Sequence, residues 1–359
     1  MHTDATAQPI ATPGMDTASR RILRLALGAS LCMLFSQVAD WPLAFLAPAV
    51  TIILLGTPYP APSFKGGLKI YLSLVGAVLF GHLLLPFLDH APGAGLLLLA
   101  LGLFGSFHYT AMGGSSLFGV FLPIGFGFLL SIGSVSIDIY IGLTQTVAFS
   151  IAVAIAFVWI AHALLPDPPP ESSADDHHPS AAKPSQREAT RSALRAFVVV
   201  FPVAFLFLCV STSANYIPVM INVVTLGQQS SAIKSHHVGL KLVESTFWGG
   251  VGAILAWIIL SACPNLAMYT LLIALAGLLY GPGIFKGEGL NAKGGMWSFA
   301  FMTMIIILAP ALGSDASGAS AAERFWTRQL QFMGVALYGT FAVAAFNALW
   351  PGKQEHSDA

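Results

Sequence analysis

HAPGAGLLLLALGLFGSFHYTAMGGSSLFGVFLPIGFGFLLSIGSVSI, residues 90–137, runs for 48 residues without an Asp, Glu, Lys or Arg. A membrane-spanning helix needs about 20 mostly apolar residues, so this stretch holds two. Further charge-free runs cover 139–166, 196–233, 245–285 and 329–352. Punctuation at Gly, Pro and charged clusters divides the chain into twelve spans. They lie near 21–39, 43–60, 66–88, 94–111, 115–133, 137–165, 192–211, 215–230, 238–262, 265–284, 293–312 and 322–349. The second and eighth are short. The first 19 residues are polar and the first apolar run is already a full span, so no cleavable signal peptide is expected.

Composition agrees with this division. Of 359 residues, 56% are apolar and 9% charged, against about 25% charged in a soluble domain. The mean hydropathy is +0.76. These values exclude a soluble enzyme, a disordered protein and a disulfide scaffold. Sixteen basic and sixteen acidic side chains leave no net field to draw nucleic acid. Cys32, Cys209 and Cys263 show no C-x-x-C and no metal-ligand spacing. There is no H-E-x-x-H, G-x-S-x-G or G-x-x-x-x-G-K-[ST] motif either. No enzyme activity, metal or cofactor is therefore expected.

Basic residues favour cytoplasmic loops, and here they segregate. Arg20, Arg21 and Arg24 precede the first span, and Lys65 and Lys69 fall between the second and third. Lys183, Arg187, Arg191 and Arg195 lie in or beside the central connection. Lys234 and Lys241, then Lys286 and Lys293, flank later spans, and Lys353 follows the last. With both termini inside, 14 of the 16 basic residues are cytoplasmic, while Asp40, Asp89 and Asp138 fall on the other side. The segment PDPPPESSADDHHPSAAKPSQREATR, 166–191, is too polar to fold alone. His177 and His178 within it read as solvated linker residues. The expected layout is a cytoplasmic tail (1–19), a first six-helix half (20–165), a cytoplasmic linker (166–191), a second six-helix half (192–350) and a cytoplasmic tail (351–359).

The halves read as copies. ASRRILRLAL (18–27) matches ATRSALRAFV (189–198) at a shift of 171, and GLKIYLS (67–73) matches GLKLVES (239–245) at a shift of 172. Pro48 and Gly56 of the second span answer Pro218 and Gly227 of the eighth. Six spans per copy leave both copies in one orientation, related by a pseudo-two-fold axis along the membrane normal. The expected fold is an all-α polytopic membrane protein of about twelve helices in two parallel six-helix repeats.

Basic residues before the first span, a Pro-bearing second span, the G-L-K start of the third and the six-linker-six plan resemble the fusaric acid resistance and aromatic acid exporter superfamily. The resemblance is to its short bacterial branch, which lacks a large cytoplasmic domain. It implies export of aromatic or other small organic acids across the bacterial inner membrane, often through a periplasmic membrane-fusion adaptor. Without a nucleotide-binding loop, active export would run on an ion gradient. Plant anion channels in the same superfamily imply a passive channel as the alternative. A third class, a membrane assembly or lipid-handling protein, has no motif in its favour. The partners expected are the bilayer, a small organic anion, an adaptor and a second copy in a homo-oligomer, with no nucleic acid.

Ionisable groups at membrane depth are functional candidates. Lys69 and Lys241 occupy matching positions, as a cationic ring for a carboxylate or as snorkelling lysines. Arg24 and Arg195, also matched, read first as headgroup or positive-inside anchors and second as pathway residues. His108 and Tyr109 precede Met112-Gly113-Gly114-Ser115-Ser116, read as a turn ahead of a cavity lining. His82 and His162 are lone histidines of structural type. Asn222 serves as interhelical glue or substrate contact. The seven tryptophans read as interface anchors. Arg324 and Arg328 share a helical face on the outer side, as lipid-phosphate anchors, an anion funnel or an adaptor patch. Glu244, three residues after Lys241 and matched by Leu72 in the first half, is either a paired carboxylate or a proton carrier.

Cysteines introduced at Ser173 and Ser185 should resist membrane-impermeant thiol reagents in intact cells. Labelling from outside would overturn both the topology and the repeat.

Overall fold

The computed structural model describes residues 15–114, 137–166, 185–209, 238–287, 289–312 and 320–350. These form helices α1 (Thr17–Ala39), α2 (Leu46–Leu55), α3 (Phe64–His90), α4 (Pro92–Ala111), α5 (Ile137–Leu164) and α6 (Gln186–Cys209). They continue with α7 (Val238–Ala262), α8 (Leu266–Ile284), α9 (Gly294–Leu312) and α10 (Ala321–Leu349). Seven of these carry described stretches long and apolar enough to cross a membrane. The chain is thus a helical, multi-pass membrane protein. Each described helix falls on an expected span, and the expected spans at 115–133 and 215–230 lie outside the described residues. The all-α expectation needs one amendment. Between α8 and α9 a two-residue antiparallel ribbon pairs β1 (Phe285–Lys286) with β2 (Gly289–Leu290), and Gly287 turns at φ +57°.

Short polar signals set the helix starts. Ser63 Oγ accepts from the Gly66 N–H, Asn265 Oδ1 from the Met268 N–H and Ser320 Oγ from the Glu323 N–H. These side chains satisfy amides that the first helical turn leaves without partners. Ser185 and Glu188 form a reciprocal capping box, with the Ser185 N–H donating to Glu188 Oε2 at 3.0 Å and the Glu188 N–H to Ser185 Oγ. That box starts α6 at Gln186, so the last six residues of the expected 166–191 linker are helical instead. Likewise, α1 starts at Thr17, inside the expected 1–19 tail. The chain leaves α1 through a tight corner in which Asp40 and Leu43 both take positive φ.

The two most extensive contacts between the parts of the chain before and after the linker are antiparallel. Helix α1 lies along α8 with Ala26 against Gly277 and Ile22 against Gly281. A Cβ at Gly277 would come within 2.6 Å of the Ala26 Cα, so the small residue sets the interaxial distance. Small residues are the usual means of close helix approach in lipid, where no hydrophobic force drives helix against helix. Helix α4 lies along α6, with Phe104 edge-on to Phe197 at 6.3 Å and His108 near Thr190. Around these, α2 packs on α1, α5 and α9, α3 on α4 and α5, and α7 on α9 and α10. Leu79, Leu83 and Phe87 of α3 are exposed, as lipid-facing side chains must be.

The contacts bring the basic residues to one end. Arg20 reaches the end of α5, Trp159 of α5 reaches Pro62 just before α3, and Arg191 reaches the end of α10. The α8 C-terminus, the ribbon and the α9 N-terminus lie at that same end, and with them Lys286 and Lys293. Among the described residues these basic groups therefore share one end of the helices.

Gly277→Val should push α1 from α8. Overpacking of this kind costs about 1–3 kcal/mol, read as a lowered midpoint in thermal unfolding of the detergent-solubilised protein. An unchanged midpoint would show that the helices can separate freely.

Candidate functional site

Arginine and lysine divide the basic end between them. Arg20 Nη1 donates to the Pro166 carbonyl at 2.8 Å and Arg24 Nη1 to that of Leu165 at 3.4 Å, both at the end of α5. In the same way, Arg191 Nη2 donates to the Trp350 carbonyl at the end of α10, at 2.6 Å. The last carbonyls of a helix have no intrahelical donor and carry the negative end of its dipole, so a guanidinium there is favourable. Arg24 and Arg195 are 2% and 7% exposed. Both are enclosed by protein at the basic end rather than open to lipid headgroups.

Lys69 is exposed, one turn after Lys65 on α3. With Leu68, Leu72 and Ser73 they line an open cleft of about 400 Å³. It offers two ammonium groups above an apolar floor at a helix N-terminus, an arrangement suited to an anion with an apolar body. Its sequence counterpart Lys241 stands in the first turn of α7, with its side chain outside the described residues.

Glu244 supplies a second arrangement. Its Oε1 is 2.7 Å from Lys293 Nζ, so its ammonium partner comes from the start of α9. The pair is half-open, at 33% and 52% exposure. A cation at a helix N-terminus opposes the dipole, and the Glu244 carboxylate offsets that conflict. One turn further along both helices, Trp248 and Trp297 meet with centroids 5.7 Å apart. Tyr280 lies 5.8 Å from Trp297 and 5.7 Å from Phe301, and its hydroxyl donates to the Trp248 carbonyl at 2.8 Å. Phe247 and Trp248 remain open at the rim. The expectation that the tryptophans are interface anchors is therefore corrected for this pair, which forms an aromatic cluster beside an ion pair. Trp41, Trp159 and Trp257 also have protein partners, namely Ser150, the Pro62 carbonyl and Phe325. Lys293 and Trp297 were missed as site residues. The signal for them is the shared four-residue spacing of Glu244 to Trp248 and Lys293 to Trp297.

The remaining candidates scatter. His108 is half-buried near the end of α4, stacked on Phe104, with Nε2 3.4 Å from Thr190 Oγ1. Tyr109 beside it is exposed. Helix α4 stops at Ala111 and Gly113 takes φ +85°, so the turn reading holds as far as residue 114. His162 donates from Nδ1 to the Val158 carbonyl at 2.8 Å, a structural role. Arg324 and Arg328 lie in the first turns of α10, at the end opposite the lysines, with side chains outside the described residues. Asn222 lies outside them altogether, as does the side chain of His82.

Because the Glu244–Lys293 pair is half-exposed, its stabilising value should be small. A double-mutant cycle with Glu244→Gln and Lys293→Gln should return a coupling of about 0.2–1 kcal/mol in thermal unfolding. A coupling of several kcal/mol would make the pair a structural strut rather than an accessible site.

Comparison with known sequences gives a family match. The model of a family described as "Protein of unknown function (DUF2955)" covers residues 21–161, from α1 to the last turn of α5. The chain is similar to that family over this stretch, which coincides with the part before the linker. No curated protein and no solved structure matches the chain.

Proposed function

We propose that the chain is a secondary transporter that exports small organic anions, aromatic carboxylic acids above all, across the bacterial inner membrane. On this reading it has twelve spans in two parallel halves, with both termini and the linker cytoplasmic, and it performs no enzymatic chemistry. The packing supports two halves. Under the sequence match, α1 corresponds to α6 and α4 to α8, so the α1–α8 contact and the α4–α6 contact are one interface seen twice. Contacts of α5 with α1 and α3 are likewise echoed by contacts of α10 with α6 and α7. The guanidinium contacts of Arg20 on α5 and Arg191 on α10 correspond too. HALLP (162–166) and NALWP (347–351) then align at the two helix ends.

The observation that carries the function is the ion pair Lys293–Glu244 one turn from the Trp248–Trp297 contact. An aromatic acid needs an ammonium for its carboxylate and a flat apolar surface for its ring. Both are present at the α7–α9 rim, with a helix N-terminus that adds positive potential. An incoming carboxylate competes with Glu244 for Lys293. With Glu244 displaced from Lys293, Glu244 is on this reading the proton carrier that ties anion movement to proton movement. The match of Glu244 with Leu72 confines this coupling to the second half. At the Lys65–Lys69 cleft Leu72 stands where the second half has Glu244, so an anion is attracted there without a carboxylate to displace.

The test is flux of labelled aromatic acids into proteoliposomes, with and without a pH gradient. Accumulation driven by the gradient is expected, with Lys293→Gln and Trp248→Ala each reducing it about tenfold, the size of one lost charge-assisted or stacking contact. Glu244→Gln should abolish accumulation while leaving exchange of substrate across the membrane intact. Flux that ignores the gradient would make the protein a passive anion channel. Absence of flux for every acid would remove the transport reading.

A further inference from the structure

Lys65 and Lys69 stand in the first two turns of α3, four residues apart on one face. Like charges at that spacing repel, and a cation near a helix N-terminus opposes the helix dipole. At the start of α9 the same conflict is offset by Glu244. At the start of α3 both lysines are exposed, and among the described residues neither ammonium has an anionic partner. The helix is held from behind. Gly67, on the opposite face, packs on Trp159, where a Cβ would come within 2.7 Å of Cζ2. The Trp159 indole N–H donates to the Pro62 carbonyl at 2.8 Å, and Ser63 caps the first turn. The start of α3 is thereby fixed on α5, with the face that carries both lysines turned away from the protein.

Leu68 and Leu72 form the floor of the cleft beside these lysines. By helical periodicity they lie on the same stripe as the exposed Leu79, Leu83 and Phe87. Gly76 stands on that stripe between Leu72 and Leu79. It is exposed, and a Cβ there would meet nothing within 4 Å, so the glycine leaves an open gap in the row of leucines. The gap is about 10 Å along the axis from Lys69, within the roughly 15 Å filled by the chains of one leaflet. Under the sequence match, Leu72 and Gly76 answer Glu244 and Trp248. The two positions that supply a carboxylate and a ring wall on α7 are thus a leucine and a glycine on α3. What remains is a pair of charges with an apolar track descending from them.

We propose that this face of α3 binds one phospholipid with an anionic headgroup, from the leaflet at the basic end. The lipid phosphate sits between Lys65 and Lys69, and one acyl chain follows Leu68 and Leu72 across Gly76 toward Leu79. The phosphate relieves the repulsion between the two ammonium groups and their conflict with the helix dipole. Basic pockets at a membrane surface recognise anionic headgroups in this way. A small aromatic acid suits the cleft less well, since it has no chain to lay along the track and finds no ring to stack on. The site stands on α3 alone and holds whether or not the protein moves a substrate.

The experiment is native mass spectrometry of the full-length protein in detergent, given an equimolar mixture of phosphatidylglycerol and phosphatidylcholine with identical chains. Phosphatidylglycerol should be retained in preference. Lys65→Gln and Lys69→Gln should each cut that preference about fivefold, the size of one ammonium's attraction to an anionic lipid surface. Lys286→Gln removes an exposed lysine from the same end of the protein but not from α3, and should leave the preference unchanged. Gly76→Trp fills the gap while keeping both charges, and should lower retention of phosphatidylglycerol several-fold. All four positions are exposed, so the variants should fold. Equal retention of the two lipids would overturn the proposal. So would an effect of Lys286→Gln as large as that of Lys69→Gln, which would reduce the preference to overall charge. Retention indifferent to Gly76→Trp, or displacement of the lipid by glycerol phosphate or benzoate, would assign the cleft to a free anion and overturn the proposal equally.

Discussion

The close approach of α1 to α8 organises the molecule. Helices in lipid gain nothing from burying leucine against leucine, so they associate where small residues permit van der Waals contact along their length. Ala26 against Gly277 provides such contact, and Ile22 packs onto Gly281 one turn closer to the basic end. Because the two helices run antiparallel, the N-terminus of α1 is fixed beside the C-terminus of α8. The ribbon and the start of α9 follow directly, and Lys293 is thereby carried to Glu244 on α7. Placement of the candidate site thus depends on Gly277 and Gly281, which flank the cluster residue Tyr280 on the other face of α8.

At the basic end, the two cationic residue types take different work. The arginines turn inward to helix carbonyls, where a planar guanidinium can serve several acceptors and stays charged when enclosed. The lysines stay at the rim, exposed on α3 and half-exposed at the start of α9. A point charge on a flexible stem suits a ligand that must bind and leave. Sequence position alone treats Arg24 and Lys69 alike, as basic residues just inside a span, and only the packing separates them.

Much of the fold was legible because lipid permits few solutions. Charge-free length locates helices such as α4 and α8 to within a few residues, since an unpaired backbone cannot be left in hydrocarbon. Helix starts were less legible. The capping box at Ser185 and Glu188 extends α6 into a stretch whose composition reads as linker, and the 285–290 ribbon leaves no apolar periodicity to follow. Within the candidate site, Glu244 was visible as a carboxylate in an apolar run. Its partner was not, because Lys293 is 49 residues away and Lys241 offered a local alternative at helical spacing. The Trp248–Trp297 contact was hidden for the same reason: span-end tryptophans are common, and only tertiary structure distinguishes an anchor from a wall.

The guanidinium contacts at the ends of α5 and α10 have a consequence for how such a chain can be rearranged. Arg20 fastens the start of the part before the linker, at α1, to its end at α5, and Arg191 fastens the start of the part after it, at α6, to its end at α10. A unit whose two ends are fastened on one surface is closed upon itself, much as a ring is. It can be copied in tandem through a short connector, and no added span is needed to return the chain to its starting side. By the same logic the connector could be cut and α10 joined to α1 instead, giving a circularly permuted chain whose described helices all keep their neighbours.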